Sequence, residues 1–432
     1  MSSDSQPQEH KQQLMLISIT TIGTLLEWAE YTFYGYLALK LSSLFFPAQD
    51  ALIATIKTYA IFAIGYVMRP LGAILFGYIG DHFGRKPALS ISMILMGLAT
   101  LMIGCLPVYA DWGIAAPLCL LLLRMLQGIA VSGEFNGAGI FLTEKIGSTN
   151  PCLAGSWVSS AAAFGMVLGG LAAFIVSLPS MPAWAWRIPF IMGGLSCFVG
   201  LWLRQGIAES SAYLKQKHAQ KTITLSLLQL CKTYKNSFYY VAAIAAFTGI
   251  YVYILNIYIV AFLTQSVGLP THHATFFAIF GESTVCLFIP LLAWVADKWQ
   301  PEKQYQVSLL MIAATTPLLF TLMLSGNYLN IGIAMLFYGL LNGLMCGPIV
   351  KLLVDKFPIR VRYTGISFAW SLSAAVFSGT APMVAQYLNN TQNWQMGPAY
   401  YVSFTALIVF FIIQFTKTTH VSEGYTSPIL NK

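Results

Sequence analysis

The stretch Arg69–Lys86, RPLGAILFGYIGDHFGRK, decides how the rest of the chain is read. An apolar, glycine-punctuated helix end runs straight into a compact charged turn made of Asp81, His82, Gly84, Arg85 and Lys86. An arginine within an apolar stretch, four glycines and a basic turn this close together are rare in soluble domains but make sense in a membrane protein. In lipid, glycines let helices approach closely, and basic residues just past an apolar span mark the cytoplasmic side.

Composition supports the same solvent. The chain has 432 residues, of which 57% are hydrophobic and only 9% charged, against roughly 25% charged in soluble domains. A soluble fold of this length cannot hide so much apolar surface, so the bilayer is the solvent. The net charge of +8 sits in loops between apolar spans, which argues for loop bias and against a nucleic-acid partner. The seven cysteines show no metal or redox spacing and mostly lie in apolar stretches, so neither a disulfide nor a metal site is expected. The polar N-terminus MSSDSQPQEHKQQ lacks the pattern of a cleaved signal, so the first span is expected to stay in the mature protein.

A window of about 20 residues finds twelve spans, near 14–38, 52–76, 87–107, 115–142, 153–178, 184–204, 238–263, 272–296, 306–326, 328–350, 364–388 and 398–416. The predicted fold is an all-α integral membrane protein of twelve helices in two pseudo-symmetric halves. Its expected parts are an N-terminal tail (1–13), a first half (14–204), a central loop (205–237), a second half (238–416) and a C-terminal tail (417–432). One set of alternate loops holds Lys11, Arg85, Lys86, Lys145, the central lysines, Lys298, Lys303, Lys351, Lys356, Arg360, Arg362 and Lys417; the other holds little beyond Lys40 and Lys57. That asymmetry predicts cytoplasmic termini and a cytoplasmic central loop. The halves also echo one another, because AWVADKWQPEK at 293–303 takes the place of GYIGDHFGRKP at 77–87, with Asp297 matching Asp81.

No paired-histidine metal motif, nucleophile elbow or phosphate-cradling loop appears, so neither an enzyme nor a cofactor is predicted. The informative residues are charges inside spans, each costing at least ~2.5–3.5 kcal/mol near mid-bilayer. They are Glu27, Glu30, Arg69, Arg124, Glu134 and Glu282. Depth estimated from the helical rise suggests two pairs: Glu27 or Glu30 with Arg124 for proton coupling, and Arg69 with Glu134 as a structural or gating pair near the inner surface. Glu282, inside its span, can snorkel outward or face the substrate path. Gln127, Tyr253, Asn256, Asn342 and Trp370 join it as expected cavity residues.

With these residues in hand, the chain resembles the major facilitator superfamily and, within it, the metabolite:proton symporters (proline/betaine, shikimate, α-ketoglutarate and citrate carriers). The loop from Gly77 through Gly84 to Lys86 is similar to the superfamily's loop 2–3 signature. Gly23-Thr-Leu-Leu-Glu27-Trp28-Ala-Glu30, Arg69-Pro70-Leu-Gly72, Arg124-Met-Leu-Gln127-Gly128, Trp186-Arg187-Ile-Pro189-Phe190 and Arg362-Tyr363-Thr364-Gly365 resemble the subfamily's motifs. The chain departs from them with Glu30 in place of aspartate, His82 in place of a basic residue, and Trp370-Ser371 in place of Tyr-Asn. The resemblance implies that Glu30 and Arg124 couple protons. It also implies that Asp81, facing the start of span eleven near Arg362, holds an inner gate with Arg85 and Lys86. The implied partners are a small solute, protons and the lipid of the inner membrane, with the protein acting as a monomer. A zwitterion such as proline or a betaine is favoured over a dicarboxylate, because the second half has no mid-span Lys or Arg. A monocarboxylate held by Arg124 stays open, as do a cation-exporting proton antiporter, a uniporter and a non-transporting sensor.

Overall fold

The computed structural model describes residues 5–46, 51–82, 85–132, 134–147, 149–205, 227–390 and 394–416. The described residues form helices without strands, as lipid requires of a backbone that must satisfy its own hydrogen bonds. In chain order the spans are α1 (Ser5–Tyr36), α2 (Ala51–Val67 and Arg69–His82), α3 (Arg85–Cys105), α4 (Ala115–Ala130 and Glu134–Ile146), α5 (Pro151–Val176) and α6 (Arg187–Gln205). The second half holds α7 (Lys235–Val252, Tyr253–Tyr258 and Ile259–Gln265), α8 (Thr271–Lys298), α9 (Pro301–Leu324), α10 (Tyr328–Cys346 and Ile349–Val354), α11 (Ile359–Ser373, Ala374–Ser378 and Ala381–Asn390) and α12 (Gly397–Phe415). Among the described residues nine helices are long and apolar enough to cross a bilayer, and Ser90–Cys105 and Arg187–Phe198 are shorter apolar helices. With α1 these make the twelve spans. Within the predicted central loop a short helix forms at Leu227–Thr233, and residues 206–226 lie outside the described residues.

Hydroxyls inside the spans are hidden by bonding back to the preceding turn: Thr32 to the Trp28 carbonyl (2.8 Å), Thr58 to Ala54 (3.0 Å) and Thr316 to Ile312 (2.7 Å). Two segments, Tyr253–Tyr258 in α7 and Ala374–Ser378 in α11, widen into π-helix. The apolar periodicity did not reveal them, because one extra residue in a turn leaves mean hydropathy unchanged; such insertions cluster at functional sites.

Within the halves α1 packs on α5, α3 on α6, α8 on α10 and α9 on α12, while α2–α11 and α5–α8 carry the contact between halves. Small residues make the tightest crossings. A Cβ on Gly128 of α4 would fall inside the van der Waals radius of the Gly65 carbonyl oxygen of α2, so the clash is with backbone that cannot rotate away. Gly128→Ala should therefore destabilise the protein by about 1–3 kcal/mol, read as a lower midpoint of thermal unfolding in detergent. Gly332→Ala, whose nearest neighbour is a Phe277 ring carbon at 3.9 Å, should leave the midpoint in place. Equal midpoints for the two variants would remove this account of the α2–α4 crossing.

Candidate functional site

Glu30 is 1% exposed and points from α1 towards α3 and α6. Thr100 Oγ1 donates to its Oε2 at 3.0 Å, and Ser196 Oγ (3.3 Å) and Cys197 Sγ (3.0 Å) donate to its Oε1. Thr100 Oγ1 in turn accepts from Gln127 Nε2 at 2.7 Å, and Gln127 Oε1 accepts from Arg124 Nη1 at 2.8 Å. Glu30 and Arg124 therefore do not form the direct ion pair expected from their depths; they are the two ends of a relay through Thr100 and Gln127. The reason is rotational. Arg124 turns its guanidinium to the faces of Tyr31 and Tyr34, with centroids 4.5 and 4.4 Å away, where cation–π attraction replaces a carboxylate. Gln127, expected in the cavity, works in this relay instead. Thr100 also lies 2.9 Å from the Met96 carbonyl. Its single hydrogen can thus serve a charged Glu30, or swing to Met96 when Glu30 carries a proton and donates to Thr100. A narrow cleft inside the first half, lined by Gly23, Glu27, Glu30, Ser92 and Met96, runs beside both carboxylates.

A second, larger cavity lies between the halves and is lined by residues of both. Tyr253, Asn342, Trp370 and Glu282 line it, joined by Trp28, Tyr66, Arg69 and Phe135, whereas Asn256 stands behind its wall. Arg69, expected in a pair near the inner surface, faces the cavity, with its guanidinium 3.9 Å from the Tyr66 centroid and 4.9 Å from Tyr31. Glu134, its expected partner, has a side chain outside the described residues. So do Asp81, Arg85 and Lys86, while the packing around Gly77 and all of Gly84 fall outside them as well.

Glu282 does not snorkel; it is 2% exposed and turned inward. Asn256 Nδ2 donates to its Oε2 at 2.5 Å, and the Tyr338 hydroxyl donates to the same oxygen at 3.3 Å. Tyr36 of α1 reaches across the halves and donates to Asn256 Oδ1 at 2.6 Å. Asn342 Nδ2 donates to the Tyr338 hydroxyl at 3.1 Å and Cys346 Sγ to Asn342 Oδ1 at 3.0 Å, extending the chain. Tyr36, Thr100, Ser196, Cys197 and Cys346 were not legible as site residues. A lone hydroxyl or thiol in an apolar span becomes informative only when its depth and rotation meet a carboxylate.

Contacts between the halves flank the cavity on both faces. On the face away from the basic loops, the Tyr66 and Tyr253 hydroxyls bond directly, Tyr36 meets Asn256, and Tyr66 packs on Gly379, where a Cβ would come within 2.6 Å of the ring's own Cβ. On the basic face, Arg362 Nη1 donates to Glu144 Oε1 at 2.5 Å. Asp297 accepts from the backbone N–H groups of Cys152 (2.8 Å) and Leu153 (2.9 Å), capping the start of α5. That cap gives a physical role to the half-two echo of the opening stretch, a carboxylate on a helix N-terminus. Nearby, Lys356 is 1% exposed, lies 3.5 Å from Glu302 Oε1 and covers the Tyr240 ring. Burial pulls its ammonium below the ordinary lysine range, and Glu302 opposes the shift.

Comparison with known proteins fits this arrangement. Residues 22–379 match the Major Facilitator Superfamily. The chain is 30% identical over 412 residues to the inner membrane metabolite transport protein YhjE of Escherichia coli (strain K12), covering 93% of each. It is 28% identical over 410 residues to the proline/betaine transporter of Salmonella typhimurium, covering 91% of this chain and 81% of that one. It is 29% identical over 421 residues to the glycine betaine/proline/ectoine/pipecolic acid transporter OusA of Dickeya dadantii, covering 93% and 83%. Among solved structures, the D-xylose-proton symporter superposes with a TM-score of 0.74 at 19% identity, over 94% of this chain and 99% of that one, a likeness of fold alone. A twelve-helix membrane chain with a cavity between two halves, matched along nearly its whole length by transporters, is itself a transporter and not an enzyme, and it belongs to the Major Facilitator Superfamily.

Proposed function

We propose that the protein is a proton-coupled symporter that carries a small polar organic solute by alternating access, with a zwitterion such as proline or a betaine favoured and an organic acid next. The observation that carries this reading is the separation of two buried sites. A cavity lined by residues of both halves lies between them, and the Glu30 relay lies wholly inside the first half. In this reading the cavity opens alternately to each face as the halves rock about the α2–α11 and α5–α8 contacts. Glu30 takes a proton, releases Thr100 to Met96, and leaves Gln127 and Arg124 free to re-pair. The narrow cleft along Gly23–Glu30 supplies a proton path separate from the solute.

The basic face is read as cytoplasmic, with both termini there, in an inner membrane. One chain contains the whole path, so a monomer suffices. The names of the proline and betaine relatives support the solute class. One observation favours a second reading, export of organic cations by proton exchange: Glu282 lies beside an aromatic-walled cavity, and the described groups acting on it include no cation.

Proteoliposomes with an inward proton gradient, tested with proline, glycine betaine, shikimate, α-ketoglutarate and citrate, separate these readings. A zwitterion should accumulate above equilibrium. Counterflow exchange without accumulation would make the protein a uniporter. Proton-driven efflux of organic cations, with no solute uptake, would make it an antiporter.

A further inference from the structure

The wall of the central cavity is divided by charge. Among the described residues that line it, Arg69 is the one cation and Glu282 the one anion, and they belong to different halves. On the first-half side, Arg69 Nε and Nη2 and Trp28 Nε1 are buried donors without a hydrogen-bond acceptor among the described residues. Arg69 is 6% exposed, and the groups acting on its charge are Tyr66, Tyr31, Tyr253 and Glu27. The tyrosines offer ring faces, which attract the guanidinium without satisfying its N–H groups. Buried donors left unpaired cost free energy, and a guanidinium with free N–H groups has the geometry to take a carboxylate.

On the second-half side, Glu282 uses Oε2 for both Asn256 and Tyr338, and among the described residues Oε1 accepts no hydrogen bond. Among the described residues no Lys or Arg pairs with it. Aromatic rings from both halves line the same cavity, Trp28, Tyr66 and Phe135 from the first and Tyr253 and Trp370 from the second, with the Phe135 ring 6.1 and 5.9 Å from the two tryptophans. A carboxylate among aromatic faces suits a substituted ammonium, whose spread charge loses little hydration on leaving water.

We propose that Arg69 and Glu282 are the two charge-bearing poles of the solute site, which selects a small molecule carrying both a carboxylate and an ammonium over isosteres carrying only one. This rests on the reading of the cavity as the solute path, and it moves Arg69 from the gate to the solute. A zwitterion pairs both poles at once and bridges the halves. A molecule with one charge leaves the opposite pole without its solute partner, which is costly for a buried charge. Glu282 also connects through Asn256 to Tyr36 on α1, so the second-half pole is tied to the contact that closes the face opposite the basic loops.

The test is binding to the reconstituted full chain with no ion gradient, by competition against radiolabelled glycine betaine. The competitors are 3,3-dimethylbutyrate, which has the same shape but no positive charge, and choline, which has no carboxylate. Wild type should prefer betaine to either by about tenfold or more, the value of one buried charge-assisted contact. Glu282→Gln should weaken betaine by a similar factor and leave 3,3-dimethylbutyrate almost unchanged; Arg69→Gln should weaken betaine and leave choline almost unchanged. Glu282→Asp and Arg69→Lys keep each charge and should keep the order of preference, which guards against loss of fold. Equal wild-type affinity for betaine and one isostere, betaine binding unmoved in either Gln variant, or no betaine binding at all would each overturn the assignment. Failure of symport would show differently, as normal betaine binding without gradient-driven accumulation.

Discussion

Glu30→Gln should end gradient-driven accumulation while counterflow exchange continues. Glutamine is nearly isosteric with a protonated glutamate, and its amide can donate to Thr100 Oγ1 while Thr100 turns its hydrogen to the Met96 carbonyl 2.9 Å away. The amide oxygen still accepts from Ser196 and Cys197. The variant therefore keeps the packing of α1 against α3 and α6 but cannot release a proton. With an inward gradient of one pH unit, a one-proton symporter accumulates solute up to about tenfold, because each 1.4 kcal/mol is a factor of ten. The variant should stop at a ratio of about one, while exchange of labelled for unlabelled solute persists at a rate within a few-fold of wild type. Accumulation at the wild-type ratio would take the coupling role away from Glu30, and the same assay on Glu27→Gln would come next, since Glu27 lines the same cleft. Loss of exchange together with accumulation would point to a collapsed α1–α3–α6 contact.

The second large effect should come from Asp297→Asn on the basic face. Asp297 accepts two backbone hydrogen bonds at the start of α5, where Pro151 has no N–H and the next two amides are the first unsatisfied donors. Asparagine keeps one acceptor oxygen and loses the charge that the helix N-terminus favours. Cap and dipole effects of this kind total about 1–2 kcal/mol, so the opening equilibrium of this face should shift roughly five- to thirtyfold. The readout is built in. Cys152, the first residue capped, is fully buried against Ala293 and Ala296 of α8. In the variant, Cys152 should react faster with a membrane-impermeant maleimide, measured by peptide mass so that exposed Cys105 does not interfere. An unchanged Cys152 labelling rate would show that this cap does not hold the face closed. The Arg362–Glu144 pair lies on the same face, but with Glu144 38% exposed it should contribute less.

Much of this protein is legible from linear order. Arg69–Lys86 announces a membrane chain, because glycine spacing and a basic turn are properties of neighbours in sequence, and the twelve apolar spans follow from length alone. The echo of Asp81 at Asp297 is equally visible, and the α5 cap at Asp297 gives it a structural meaning. The buried charges are less legible. Depth along the membrane follows from counting residues, which places Glu30 and Arg124 at similar heights. Rotation about each helix axis does not. At about 100° per residue, a small error in a helix's roll moves a side chain to another neighbour. That is why Arg124 meets Tyr31, Tyr34 and Gln127 rather than Glu30, and why Arg69 faces the solute cavity.

Composition, span count, loop charge and internal repeat thus come from the sequence by itself, since the bilayer imposes one-dimensional rules on hydropathy and charge. Only the tertiary structure decides which buried polar groups share a wall. It joins Glu30 to Arg124 through Thr100 and Gln127, turns Glu282 inward to Asn256 and Tyr338, and sets Asp297 on the start of α5. The physical reason is that hydrogen bonds and ion pairs depend on side-chain direction at the scale of a few tenths of an ångström, which is set by the packing of helices far apart in sequence.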